Sequence, residues 1–165
     1  MEESRPRLRR EKQTIVILGC EHRVQLVDNE SDPVFRRQVE QVAAEHAIRF
    51  IGEEAEQGRC SIAQQIAAQR GLRYLNIDIP HVVQNRIHLR SSMIFNRAKR
   101  LVEVVEHSDR YVIAWNLVRE HHMFKTFEEA LLAGEPSMLI CGRSHVKGFA
   151  ELFGEKYKLV SVSSD

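Results

Sequence analysis

Cysteine is scarce, with only Cys20, Cys60 and Cys141 in 165 residues. They are far apart, odd in number and form no C-x-x-C pair, which excludes a disulfide framework and leaves reduced thiols that mostly pack. Charge of one sign is also missing. With 24 Lys and Arg against 23 Asp and Glu, the formal net charge is +1, too little for a strongly basic nucleic-acid binder that must neutralise many phosphates. Long hydrophobic runs are absent as well. Segments such as 14–18 and 111–115 fall far short of the roughly 20 apolar residues that cross a bilayer, so no membrane span is expected. The basic residues near the N-terminus have no apolar stretch behind them, which argues against a secretory signal and makes the cytoplasm the expected compartment. Finally, there is no G-x-G-x-x-G, no G-x-x-x-x-G-K-[ST] and no G-x-S-x-G. Dinucleotide binding, P-loop chemistry and an α/β-hydrolase serine elbow all lose support.

What is present suits a globular chain. Hydrophobic residues make up 43% of the sequence, and a chain of this size buries roughly 70% of its unfolded surface. It needs neither disulfide nor structural metal to fold, so any metal would serve function. Residues 1–12 carry five basic and three acidic side chains with almost nothing apolar, so they read as a flexible charged tail ahead of a single domain at 13–165.

Thr14 to Leu18 is continuously apolar, rich in β-branched residues and stopped by Gly19, the pattern of a strand buried on both faces. Ser31-Asp32-Pro33 supplies a cap and an early proline for a helix to about His46. A second strand is expected at Ile48 to Ile51, ended by Gly52. A helix follows from about Ser61 to Arg70 with Gly71 as its stop, then a strand from Leu72 to Ile79. Arg90 to about His107 has amphipathic helical spacing. Tyr111 to Trp115 reads either as strand or as helix continuing through Arg119, and Phe127 to Ala133 as a helix ended by Gly134. Ser137 to Cys141 is a clear strand, followed by a helix near Phe149 to Phe153 and a strand from Lys158 to Val162. The alternation predicts an α/β fold with a mainly parallel sheet of about five strands covered by helices.

In such a sheet the functional site lies beyond the carboxyl ends of the strands. The segments that follow the strands are Gly19-Cys20-Glu21-His22, Gly52-Glu53-Glu54, Asp78, and Gly142-Arg143-Ser144-His145. Two G-x-x-H segments, an acidic pair and an aspartate should therefore share one rim. Two imidazoles, His22 and His145, and a rim carboxylate are a donor set for a divalent cation with an open water position. A carboxylate there can instead be a general base. Glu53 and Glu54 alternate sides if still in strand, so one faces the site and the other is expected to be solvated. Asp78, before Ile79-Pro80, suits a turn as well as a site. Arg119-Glu120-His121-His122 suits a solvated helical face, or an arginine that stabilises a developing anion. Gly19 and Gly142 let a substrate approach the backbone. Cys20 and Cys141 sit at equivalent strand ends, where packing is the ordinary role and a thiol nucleophile a minor option.

Taken together, Gly19-x-x-His22, Glu53-Glu54, Arg119-Glu120-x-x-Met123 and Cys141-Gly142-x-x-His145-x-x-Gly148 resemble the TraB/TIKI/erythromycin-esterase/ChaN-like superfamily. The last segment is the most specific, matching a hydrophobic strand followed by G-x-x-H-x-x-G one helix after an R-[EDN]-x-x-M element. The resemblance runs from about Thr14 to Val162 and implies an α/β domain whose Glu, Arg and His residues share a pocket. Members include metal-dependent proteases, macrolide esterases, a haem-binding lipoprotein and pheromone-inactivating membrane proteins. The corresponding residues are His22, Glu54 or Glu53, Arg119 and His145, here in a short version without the second repeat of larger members.

The resulting expectation is a small hydrolase acting on a small molecule or peptide. His22, Glu54 and His145 hold a divalent cation or activate water, Arg119 stabilises negative charge, and Glu53, Glu120 and Asp78 orient or substitute. The competing expectation is a non-catalytic module that binds a small ligand or a protein. A third gives the arginine-rich tail a contact with nucleic acid or an acidic protein.

Overall fold

The structure is a computed structural model that describes residues 12–27, 32–56, 58–80, 82–83 and 107–163. The expected tail up to Glu11 and the expected helix from Arg90 lie outside the described residues.

Strand β1 (Thr14–Cys20) is fully buried from Ile15 onward, as its continuous apolar run requires. A single helical turn, α1 (His22–Gln25), leads away from it. Helix α2 (Pro33–Glu45) begins at Asp32, whose carboxylate accepts from the amides of Val34 and Phe35, the expected cap. β2 (Phe50–Glu53), α3 (Ile62–Arg70) and β3 (Arg73–Asn76) follow. Ser61 caps α3 through the Gln64 amide, and Gly71 ends it in the left-handed conformation at φ 65°. Then come α4 (His107–Ala130), β4 (Ser137–Gly142), a 3-10 turn (Arg143–His145), α5 (Val146–Phe153) and β5 (Lys158–Ser163).

The five strands form one sheet in the order β3-β2-β4-β1-β5, and every pairing is parallel. The chain moves outward from β1 to β3, then returns to insert β4 between β2 and β1. Alternate residues of each strand therefore feed two cores. Val16, Leu18, Ile51, Met138 and Ile140 pack with α2 and α3. Ile15, Ile17, Phe50, Leu139 and Cys141 pack with Met123 and Phe127 of α4 and with Phe149 and Phe153 of α5.

Three boundaries differ from the sequence reading. β2 starts later and continues through Gly52, whose bare face receives the Phe127 ring, so that glycine is a packing position inside the strand. Ile48 is instead drawn into the end of α2, its amide donating to Ala43 O at 2.9 Å. β3 stops at Asn76 because side chains replace the ladder: Asn76 Oδ1 accepts from the Asp78 amide at 3.0 Å and Asp78 Oδ1 from the Ile79 amide at 2.7 Å. The strand alternative for Tyr111 to Trp115 is overturned, since α4 is one continuous helix of 24 residues. It ends at Ala130, short of Gly134.

No helix among the described residues is long and apolar enough to cross a membrane.

Candidate functional site

β1, β2 and β4 are neighbours, so their carboxyl ends deliver three segments to one place. The centre is Glu54, one residue past β2, with 1% of its surface exposed. Its amide continues the ladder, donating to Ile140 O at 2.9 Å, which fixes the side on which its carboxylate emerges. Oε2 accepts from the Gly142 amide at 2.8 Å. Oε1 accepts from Arg119 Nη2 at 2.7 Å, and the same Nη2 reaches Asp78 Oδ2 at 3.0 Å.

Both imidazoles converge on the same oxygen. His22 Nε2 and His145 Nε2 each stand 3.6 Å from Glu54 Oε1, too long for a direct hydrogen bond and suited to a bridging water or a reacting group. The two rings differ in setting. His145 is buried and its Nδ1 lies 2.7 Å from Glu120 Oε1, a charge-assisted contact that orients the ring. His22 has 57% of its side chain exposed and its Nδ1 lies 3.1 Å from Gln25 Oε1.

Gly142 and Gly148 show why the G-x-x-H-x-x-G spacing belongs to this site. A Cβ on Gly142 would stand 2.9 Å from His22 Nε2, and one on Gly148 would overlap the Glu120 carboxylate. Both glycines leave room for site side chains. Gly19, expected to approach substrate, is filled against by Val146 and has a packing role in β1.

Helix α4 contributes through adjacent residues. Arg119 reaches Glu54 and Glu120 reaches His145, while Met123 and Phe127 below them enter the core. His121 and His122 are exposed, so the solvated-face reading holds for half of that polar run. Asp78 serves both as turn former and as Arg119 partner.

Glu53 corrects an expectation. It alternates away from Glu54 as its strand position requires, but it is not solvated: it is completely buried on the α3 side. Its Oε2 accepts from the hydroxyls of Ser61 and, at 2.7 Å, Tyr74. Burial pushes its carboxyl up to about 7 against the lowering effect of those two hydrogen bonds. Cys20 and Cys141 are buried and free, and burial raises both thiols well above their ordinary range, which disfavours the thiolate a nucleophile needs. Cys60 is exposed rather than packed.

The expected metal ligands meet, but not as a cation-binding group. Among the described residues no group of three or more His, Cys, Asp or Glu side chains is placed to hold a metal ion. A cation on Glu54 Oε1 would also face the guanidinium that already occupies that oxygen.

Sequence reasoning missed Gln25. It is 2% exposed and meets the site at His22, and a glutamine three residues after a histidine carries no distinctive signal.

No family model, no curated protein and no solved structure matches the chain.

Proposed function

We propose that this protein is a small hydrolase, a short relative of the TraB/TIKI/erythromycin-esterase/ChaN-like enzymes, that activates water with imidazole at the Glu54 centre. The observation that carries this reading is the convergence of two imidazole Nε2 atoms, each at 3.6 Å, on one buried carboxylate oxygen. His22, open to solvent, is the general base that takes a proton from water. Glu54, on the side of the ring nitrogen that takes the proton, stabilises the imidazolium that forms by its negative charge. The His22 imidazolium then gives that same proton to the leaving alkoxide or amine, while His145, oriented by Glu120, faces the same Glu54 oxygen from the buried side. Arg119 is engaged by two carboxylates, so its role is to hold Glu54 in place rather than to receive a developing anion. The substrate class is an ester, lactone or amide reaching the exposed His22 edge.

The test is a panel of such compounds incubated with wild type and with His22→Ala. Turnover by wild type should fall about 100-fold or more in the variant, the usual range for loss of a positioned base. Unfolding midpoints should coincide, because the ring is largely exposed. Equal turnover in both proteins removes His22 as the base.

A second reading rests on a different observation. A cleft of about 460 Å³ lies at the carboxyl ends of β2 and β3, lined by Glu56, Arg59, Cys60, Gln64, Tyr74 and Asn76 among others. Its size is that of a small-molecule site, and Glu54 does not line it. On this reading the fold is a binding module, and ligand added to wild type shifts the Tyr74 resonances without being hydrolysed.

A further inference from the structure

Gln25 closes the short turn α1 and is 2% exposed. Its Oε1 lies 3.1 Å from His22 Nδ1, while its Nε2 is buried with no hydrogen-bond partner among the described residues. A buried amide that leaves a donor unsatisfied is costly, and an apolar residue of the same size would avoid that cost. The segment does not need the amide to hold its backbone. Val24 N donates to Glu21 O at 3.1 Å and Val27 N to Cys60 O at 3.1 Å, and Leu26 bridges to Ser61. What the amide does make is one directed contact with the ring.

That contact has a chemical consequence. A carbonyl oxygen only accepts, so the Nδ1 it faces must carry the hydrogen, and in the neutral ring the lone pair is left on the other nitrogen. That other nitrogen is Nε2, which faces Glu54 Oε1 and stands against Gly142.

We propose that Gln25 is a positioning residue that fixes neutral His22 as its Nδ1–H tautomer and leaves Nε2 unprotonated at the Glu54 carboxylate. Its value to the reaction rests on the hydrolytic reading above; the tautomer itself does not. The reversed amide would put its NH2 on Nδ1 and a proton on Nε2, turning a base into a donor.

The experiment is a set of long-range proton–nitrogen correlation spectra on the full chain with nitrogen-labelled histidine, recorded at alkaline pH, with His22 assigned by its loss in His22→Ala. Wild type should show the proton on Nδ1. Gln25→Leu should move it wholly or partly to Nε2, with Gln25→Met as the alternative if the leucine variant does not fold. Gln25→Glu, whose carboxylate also only accepts, should keep Nδ1 protonated. A merely structural role would move the Leu and Glu variants alike. Nε2 protonated in wild type, or the same tautomer in wild type and Gln25→Leu, overturns the proposal. A tautomer that switches in Gln25→Leu with unchanged turnover would confirm the assignment and count against the hydrolytic reading alone.

Discussion

Arg119→Leu is expected to destabilise the protein by about 3–5 kcal/mol, the cost of leaving a buried ion without its partner. One guanidinium nitrogen serves both Glu54 and Asp78, at 2.7 and 3.0 Å. Leucine takes both contacts away at once. Among the described residues Glu54 would keep the Gly142 amide as the hydrogen-bond donor to its carboxylate while remaining almost wholly buried, and Asp78 would lose the guanidinium. Part of the lost stability should be recovered in Arg119→Leu/Glu54→Leu, because the Glu54 charge is removed together with its counter-ion while Asp78 still lacks the guanidinium. Urea unfolding of the wild type, the single variant and the double variant checks this. A single-variant loss below about 1 kcal/mol would place Arg119 among ordinary surface ion pairs and contradict its role as the clamp on Glu54.

Glu53→Gln should act in the opposite direction and only at neutral to alkaline pH. Burial raises the Glu53 carboxyl from 4.5 to about 7, so between those values the folded protein keeps a proton that the unfolded chain has released. The folded state then binds more protons than the unfolded state, and stability falls as pH rises. Stability is undiminished below about 4.5 and falls progressively as pH rises toward 7, where the loss reaches about 3 kcal/mol. Glutamine has no proton to lose and retains an oxygen for the Ser61 and Tyr74 hydroxyls. The variant should match wild type near pH 4 and exceed it by about 3 kcal/mol at pH 8. A gap that does not change with pH would show that Glu53 ionisation is not what wild type endures there.

These two glutamates also show what the sequence made legible. Strand alternation required Glu53 and Glu54 to part, and the register with β4 decides which one meets His22 and His145. The segments after β1, β2, β3 and β4 were legible as a shared rim because parallel strands bring their carboxyl ends to one edge. What the sequence did not reveal was the environment of Glu53, because burial by Ser61 and Tyr74 depends on α3 covering the sheet and on β3 pairing beside β2. Gly52 resembled a stop because glycine ends many strands, whereas here the missing side chain admits Phe127. The helix through Tyr111 to Arg119 was ambiguous because its first five residues are apolar without either period. Gln25 was invisible because its partner is an imidazole whose importance appears only once Glu54 is placed beside it.

The most direct test of the central claim compares turnover by wild type, Glu54→Gln and Glu53→Gln on whichever ester, lactone or amide the wild type hydrolyses. Glu54→Gln should lose turnover, because the carboxylate shared by both imidazoles is gone, while Glu53→Gln should keep it. Wild-type turnover in Glu54→Gln would contradict the account.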